Sequence, residues 1–259
     1  MIAAESTRAR PGLRTETATW PPLEAVDVGG WRAGLSGGFT RRGNSVVALG
    51  TPNDPDAALD EVEALYAARG LPSVVRVCRD SRPADLDDRL EARGYTVAAT
   101  TLVMAVALPV GAAAPPGEPL VGAPVHVDVA AEPDEAWLRG WLAVKASTPV
   151  DLDLAGRLVG GAPARYARAH DADGTLGVVR TATADGWVAL SCLTVQVRAR
   201  RHGLGRWLTL DALAAAHAEG VPAAYLQVEE GNAAGRALYA GLGFEVVDRY
   251  HYRERPVPR

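Results

Sequence analysis

The sequence contains very little lysine, cysteine, methionine or phenylalanine. Lys145 is its only lysine, and its 259 residues include two cysteines, two methionines and two phenylalanines. Cys78 and Cys192 each lie inside an apolar, strand-like run. That setting is typical of buried thiols in a reducing cytoplasm, and it predicts neither a disulfide nor a metal site. The other basic residues are arginines, as in proteins from GC-rich bacterial genomes.

The sequence also lacks an apolar run long enough to cross a membrane. The longest run, residues 102–114, is shorter than the roughly 20 residues that a membrane helix needs, and Pro109 and Gly111 interrupt it. The first twenty residues lack the apolar stretch of a secretory signal. A net charge of −4 argues against a general nucleic-acid-binding protein. We therefore expect a cytoplasmic protein without membrane or nucleic-acid partners, and a flexible tail over residues 1–18.

The most informative stretch is a glycine-containing loop between a predicted strand and a predicted helix. Residues 188–195 have a strand pattern, Gly203 and Gly205 follow, and the apolar spacing from Leu204 onwards predicts a helix. Glycine lets a ligand approach the backbone, and the first N–H groups of a helix have no internal acceptor. The loop is therefore a candidate site for a phosphate, to which nearby arginines would add positive charge: Arg200, Arg201 and Arg206.

The loop matches neither of the common nucleotide-binding patterns. It has no Lys-Ser/Thr pair after its glycines, which excludes a Walker-type loop, and Leu208 stands where a dinucleotide fingerprint has its third glycine. It does match R-x-x-G-x-G over residues 200–205. About thirty residues later, a predicted strand at 223–229 leads into the segment NAAGRALYAGLGF, residues 232–244, with a helix pattern over residues 233–240. In this order the two motifs resemble the hallmarks of the GNAT superfamily of acyl-CoA-dependent N-acetyltransferases.

This resemblance implies an α/β fold with a mixed, mostly antiparallel sheet flanked by helices. It implies acetyl-CoA as co-substrate and no metal. The backbone of residues 194–197 would pair with the pantetheine arm, and the amides of residues 201–206 would bind the pyrophosphate. The cofactor-binding residues implied in this way are Thr194, Val195, Gln196, Val197, Arg200, Arg201, His202, Gly203, Leu204, Gly205, Arg206, Asn232 and Tyr239. Tyr239 also matches the general acid that protonates the departing thiolate.

The general base is the open point, because the predicted strand before the loop, WVALSCLTV, has no carboxylate where many family members have one. Glu229 and Glu230, at the end of the next strand, are candidate bases, and a basic acceptor that loses its proton to solvent through a water chain would need neither. Trp141, Lys145 and Glu230 are candidates for contact with the acceptor, although Trp141 and its neighbour Trp137 could equally be core residues.

The predicted reaction is direct transfer of the acetyl group to a primary amine in a ternary complex. The acceptor is a small molecule or a protein amino group, and the enzyme is a monomer or a homodimer. An acetyl-CoA sensor without turnover is the alternative. The missing carboxylate favours a sensor, whereas the retained Tyr239 counts against one.

The first half of the chain contains an incomplete repeat of the second half. Residues 59–97 and 210–246 both show a helix, a Gly-x-Pro break, a strand, a second helix and a glycine followed by an aromatic residue. The first copy lacks the arginine-glycine loop and has Leu90 near the position of Tyr239. We expect a degenerate GNAT-like domain at 19–110, a Pro/Gly/Ala-rich linker at 111–124 and a GNAT domain at 125–259. The polar turn at residues 40–45 either lines a site or is only a hairpin turn.

Overall fold

The computed structural model describes residues 9–111, 124–143 and 151–257. These residues form seven α-helices and eleven β-strands. The helices are α1 (Leu13–Thr19), α2 (Pro55–Ala67), α3 (Leu86–Ala92), α4 (Glu135–Leu142), α5 (Leu152–Val159), α6 (Leu204–Ala218) and α7 (Ala233–Ala240). The strands are β1 (Glu24–Val28), β2 (Trp31–Leu35), β3 (Val46–Val47), β4 (Ser73–Cys78), β5 (Thr96–Ala107), β6 (His126–Ala130), β7 (Ala164–Asp171), β8 (Gly174–Ala184), β9 (Trp187–Val195), β10 (Ala223–Glu229) and β11 (Glu245–Arg255).

All of these strands belong to one sheet, in the order β1-β2-β3-β4-β11-β5-β10-β9-β8-β7-β6. Two neighbouring pairs are parallel, β3 with β4 and β9 with β10. The other pairs are antiparallel. The predicted mixed, mostly antiparallel sheet is therefore confirmed. None of the helices among the described residues is long and apolar enough to span a bilayer.

The last strand of each half lies within the other half's part of the sheet. β11, from the end of the chain, is inserted between β4 and β5 of the first half. β5 in turn pairs with β10 of the second half. The two halves thus share one sheet, where we expected a separate sheet in each. The exchange leaves neither half with an unpaired edge at the junction, and an unpaired edge would be open to association with other chains.

The repeat in the sequence corresponds to a repeat in the structure, because α2–β4–α3–β5 is followed later by α6–β10–α7–β11. In both copies the first helix ends at a glycine with positive φ, Gly70 or Gly220. The second helix ends in the same way, at Gly94 or Gly243. The residue after each glycine donates its N–H to a carbonyl five residues earlier, the pattern of a Schellman cap. These bonds place Leu90 in the first copy at the position of Tyr239 in the second.

The predicted flexible tail is wrong for the part that the structure describes. Residues 13–19 form α1, in which Leu13, Thr15, Glu16 and Thr19 are buried. The hydroxyl oxygens of Thr19 and Tyr225 lie 2.5 Å apart. The polar composition of this segment suggested a tail, whereas its polar side chains are bonded to residues far along the chain. Residues 1–8 and most of the predicted linker, residues 112–123, lie outside the described residues, and the division into domains stays a prediction.

Because the two halves share one sheet, we expect them to unfold together. Leu59 in α2 and Leu208 in α6 are both fully buried, each in the core of its own half. Leu59→Ala and Leu208→Ala should each lower the free energy of unfolding by about 2–5 kcal/mol. Each variant should still give a single transition, measured by circular dichroism and tryptophan fluorescence in urea. Two separate transitions, only one of which moves in each variant, would contradict cooperative unfolding of the shared sheet.

Candidate functional site

The site begins where two parallel strands separate. β9 and β10 pair from Trp187 with Ala223 as far as Leu190 with Leu226, and not beyond. Just past that point β9 contains a β-bulge opposite β8, and Cys192 within it has a φ of 59°. A positive φ is uncommon for a residue other than glycine, and a bulge bends the strand that carries it. The bulge therefore accompanies the divergence of β9 from β10.

A cleft of about 460 Å³ lies at this divergence. Its walls come from both halves of the chain. The second half contributes Trp141, Leu190, Ser191, Cys192, Leu193, Leu226, Gln227, Val228, Glu229, Asn232, Tyr239, Tyr250 and Tyr252, and the first half contributes Trp20, Phe39, Thr40, Arg41, Arg42 and Thr101. Of the two interpretations of residues 40–45, the structure supports the one in which this segment lines a site. Cys192, expected to be simply buried, lies on the wall of the cleft.

The glycine loop ends in a helix N-terminus whose backbone donors are free. The N-cap of α6 is Gly203, which has a φ of 79° and provides no side-chain cap. The backbone N–H groups of residues 201–206 form no hydrogen bond to the described part of the chain. A Cβ added at Gly203 would meet nothing within 4 Å, so the space in front of the loop is open. These features suit an anion held by backbone amides.

The side chains of the loop surround this point with positive charge. Arg200 donates from Nε to the Val195 carbonyl oxygen at 3.0 Å, and Arg206 donates from Nη1 to the Gly241 carbonyl oxygen at 3.2 Å. Arg201 and His202 are exposed. Leu204 is buried in the core, so that only its backbone N–H is available to a ligand. The predicted loop residues therefore divide into charged side chains and backbone donors.

The segment at residues 194–197 has one paired and one unpaired side. Thr194 and Val195 are paired with β8, on the side away from β10. The side chain of Gln196 donates to the Gly140 carbonyl oxygen at 2.9 Å, and its backbone N–H donates to Leu176. Val197 is exposed. Among the strands that the structure describes, the edge of β9 that faces the cleft has no partner beyond Leu190, and it leads directly into the glycine loop.

Tyr239 lies on α7 at the cleft, with its ring edge-on to Phe244 at a centroid distance of 5.8 Å. Its hydroxyl has no hydrogen-bond partner among the residues described. Burial raises the pKa of Tyr239 to about 12, and the nearby Cys192 thiol shifts it in the same direction. The phenol is therefore protonated at neutral pH and can donate a hydrogen bond to a group in the cleft.

Asn232 lies beside the cleft as the N-cap of α7. Its Oδ1 accepts the backbone N–H of Gly235 at 2.9 Å. Its Nδ2 has no partner in the described part of the chain. A Cβ on residue 235 would come within 2.9 Å of Nδ2, so glycine at this position leaves room for the asparagine amide.

Of the residues predicted as base or as acceptor contacts, Glu229 and Trp141 both line the cleft. Glu229 is exposed at the cleft, and its carboxylate forms no ion pair with a described residue. Glu230 does not line the cleft, and its carboxylate binds Arg249 at 2.8 Å. Trp141 lines the cleft although only 2% of it is exposed, and its ring packs edge-on to Phe39. Its neighbour Trp137 is a core residue. Lys145 lies outside the described residues.

A buried ion pair below the cleft was not predicted. Glu16 Oε2 lies 2.5 Å from Arg76 Nη2 and accepts a hydrogen bond from Gln227 Nε2 at 2.6 Å. The Arg76 guanidinium also stacks on the Tyr250 ring, 3.7 Å from its centroid. Burial raises the pKa of Glu16 above its usual value, whereas the charge of Arg76 acts in the opposite direction. Sequence reasoning missed this pair because Glu16 lies in the presumed tail, and no local pattern links it to Arg76.

In this site two parallel strands diverge at a bulge, next to an uncapped helix N-terminus and a buried tyrosine. This is the site architecture of the GNAT class of N-acetyltransferases. Residues 13–253 match the family described as "Probable histone acetyltransferase Rv0428c C-terminal". The chain belongs to this family of GNAT N-acetyltransferases. Among the described residues, no cluster of His, Cys, Asp and Glu could hold a metal ion.

Individual relatives agree with this assignment. The chain is 24% identical to the uncharacterized N-acetyltransferase YobR of Bacillus subtilis over 242 residues, which are 93% of this chain and 96% of YobR. A GCN5-related N-acetyltransferase from Kribbella flavida has a similar fold, with a TM-score of 0.64, 19% identity and coverage of 91% of this chain and 90% of its own. A tandem GNAT protein from the clavulanic acid biosynthesis pathway gives a TM-score of 0.62 at 21% identity, covering 79% of this chain and 70% of its own.

The environment of Tyr239 predicts an unusually late titration. The tyrosinate absorbance can be measured in alkaline solution for the wild type and for Tyr239→Phe, and the difference between them reports Tyr239. This difference should be absent near pH 10, the usual pKa of tyrosine. It should develop towards pH 12. Because the pKa is raised on folding, neutral Tyr239 stabilises the fold below about pH 10. That contribution is lost as the pH rises through 12. A difference signal centred near the usual value, with the fold intact by circular dichroism, would contradict the buried environment.

Proposed function

We propose that this protein transfers the acetyl group of acetyl-CoA directly to a primary amine in a ternary complex. One observation carries the proposal: the unpaired edge of β9 runs from the cleft straight into the free amides at the start of α6. A thioester with a long amide-containing arm and a pyrophosphate needs both features in this order. The family assignment supports the reaction class, and Tyr239 lies in the same cleft.

Donor binding would use mainly the backbone. The backbone of residues 194–197 would pair with the pantetheine arm on the side away from β8, where Arg200 already bonds to the Val195 carbonyl oxygen, and Asn232 can add its unpaired Nδ2. The amides of residues 201–206 would bind the pyrophosphate. Their positive surroundings would favour its charge. The loop cations are Arg200, Arg201, Arg206 and, when protonated, His202.

Tyr239 would act on the leaving group. Its pKa of about 12 lies well above the value of about 8.5 for an ordinary thiol. Complete transfer of its proton to a free thiolate would therefore be uphill by roughly 4–5 kcal/mol. We infer that Tyr239 donates a hydrogen bond to the sulfur as the C–S bond breaks, and that proton transfer is completed only as the amine loses its own proton.

The amine must lose two protons overall. It arrives as an ammonium group and must lose the first proton before it can attack. The second leaves the nitrogen once the C–N bond forms, and it balances the proton that the thiolate gains. Glu229 is exposed at the cleft and unpaired among the described residues, so it is suited to attract the ammonium group and pass its first proton to solvent.

The acceptor side has aromatic walls with charge of both signs. Trp20, Phe39 and Trp141 provide the aromatic rings, and Arg42 and Glu229 provide charges. The description of the family names a histone, and one solved relative belongs to a small-molecule pathway. We therefore propose a primary amine on a small molecule or on a protein, with Trp141 in contact with it. The contact predicted for Lys145 stays a prediction, and Glu230, which does not line the cleft, is not proposed as a contact.

The glycine loop can be tested with a matched pair of variants at the two ends of α6. Gly203 and Gly220 both have positive φ and open space around them. Valine should cost similar backbone strain at each position, but only Gly203→Val should disturb the amides that face the phosphates. Calorimetric titration with acetyl-CoA should show binding to the wild type and Gly220→Val, and at least about tenfold weaker binding to Gly203→Val. Equal affinities for acetyl-CoA in the wild type and both variants would mean that acetyl-CoA binds elsewhere.

Tyr239→Phe distinguishes an enzyme from a sensor. Loss of a positioned general acid typically lowers kcat by about 10²–10⁴-fold. We expect such a loss with the acetyl-CoA Kd unchanged, in an assay of CoA release with 2-phenylethylamine and with a lysine-containing peptide. If Tyr239→Phe turned over as fast as the wild type, the role of Tyr239 as general acid would be ruled out. Tight acetyl-CoA binding without turnover on a broad panel of primary amines would favour the sensor.

A further inference from the structure

The buried polar atoms that lack a partner are concentrated in one place. In the described part of the chain these side-chain atoms are Trp20 Nε1, Arg76 Nε, Arg180 Nη2, Ser191 Oγ and Gln227 Oε1. All except Arg76 belong to residues that line one small pocket, and Arg76 is the ion-pair partner of Glu16, which lines it as well. Buried polar groups are normally hydrogen-bonded. Their clustering therefore indicates that a small polar species belongs in this pocket.

The pocket fits one water molecule. Its volume is about 10 Å³, close to the minimum that a single water occupies. A buried water needs two to four polar partners. Ser191 Oγ can donate or accept, Gln227 Oε1 can accept and Arg180 Nη2 can donate. Glu16 offers a further acceptor, because it lines the pocket and its contacts with Arg76 and Gln227 are both made by Oε2.

The pocket adjoins the cleft at the point where the strands diverge. Trp20, Arg42, Leu190, Ser191 and Gln227 line both. Leu190 is the last residue of β9 that pairs with β10. A water held by Ser191 would therefore lie between the Glu16 carboxylate and the innermost part of the cleft.

We propose that Glu16, acting through one ordered water held by Ser191 and Gln227, is the proton acceptor that strand β9 itself does not provide. This inference rests on the acetyl transfer proposed above. Glu16 accepts the second of the two protons that the amine loses, whereas the first leaves through Glu229. After the C–N bond forms, the nitrogen gives its proton to the water as the water gives one to Glu16. Tyr239 supplies the proton that the departing sulfur gains. When the products have left, Glu16 releases a proton to solvent and Tyr239 regains one.

The charges that face Glu16 allow this role. Arg76 on β4 and Arg42 in the turn at residues 41–43 favour the carboxylate, and Asp248 on β11 opposes it. Arg180 on β8 and Tyr225 on β10 also line the pocket. Burial raises the pKa of Glu16 and is the largest of these effects. The carboxylate is thus beside cations that stabilise its ionised form, in surroundings that increase its affinity for a proton.

Two substitutions of Glu16 separate proton transfer from a structural role. Aspartate keeps a carboxylate but shortens the side chain, whereas glutamine keeps the length but cannot take the proton. With 2-phenylethylamine as acceptor, Glu16→Gln should lower kcat about 100-fold at neutral pH, and Glu16→Asp should lose less. The pH profile of kcat should lose its acidic limb only in Glu16→Gln. A purely structural residue would show the reverse order, with the isosteric glutamine better tolerated and both profiles unchanged.

Glu16→Gln could fail to fold, because it removes the counter-ion of buried Arg76. Ser191→Ala leaves that ion pair intact and removes a ligand of the water. It should lower kcat about tenfold with the acetyl-CoA Kd unchanged. Glu63→Gln is the control, since Glu63 also binds an arginine, Arg255, but lies outside the cleft. It should behave as the wild type does.

A crystal structure of the wild type provides a readout that needs no acceptor. It should show a water bonded to Glu16 Oε1 and Ser191 Oγ, and an empty pocket would overturn the inference. Wild-type kinetics in both Glu16→Gln and Ser191→Ala would also overturn it, while leaving acetyl transfer intact. A wild type that does not bind acetyl-CoA in calorimetry would instead refute the proposed function, and the proton role of Glu16 with it.

Discussion

The divergence of β9 from β10 beyond Leu190 is the feature on which the site depends. Two parallel strands that stayed paired would satisfy each other's backbone groups and leave no cleft. Beyond Leu190 the cleft-facing edge of β9 instead has no partner among the described strands, and that edge leads to the uncapped start of α6. The proposed donor site and the proposed access for an amine both depend on this one departure from regular pairing.

The exchange of β5 and β11 explains what the first half of the chain contributes. It has no glycine loop and carries leucine in place of the tyrosine, so it lacks the motifs of the second half. It nevertheless shares the sheet and supplies one wall of the cleft, including Trp20, Phe39 and Arg42. The degenerate copy is thus part of the proposed acceptor side.

Local patterns in the sequence were sufficient for the helices and strands around the loop. β10 and α7 have the predicted bounds, and α6 begins at the predicted Leu204. These elements are specified by apolar periodicity and by glycines at helix ends, which act over a few residues. The bulge at Cys192 had no such signal, because residues 188–195 form an ordinary apolar strand pattern.

Contacts between distant residues could not be predicted in this way. The docking of α1 depends on Thr19 meeting Tyr225 and on Glu16 meeting Arg76 and Gln227, and a polar N-terminal segment gives no sign of such partners. The strand exchange cannot be predicted from the sequence either, since β5 and β11 would have the same apolar pattern whichever half of the sheet they joined. The carboxylate that we propose in place of the one missing from β9 is therefore apparent only in three dimensions.

Diffraction from crystals grown with acetyl-CoA would test the central claim most directly. The pantetheine arm should lie along the unpaired edge of β9, the pyrophosphate should accept hydrogen bonds from the amides of residues 201–206, and the thioester should lie in the cleft beside Tyr239. Acetyl-CoA bound at another surface, with the loop amides still free, would contradict the claim that the divergence of β9 from β10 creates the donor site.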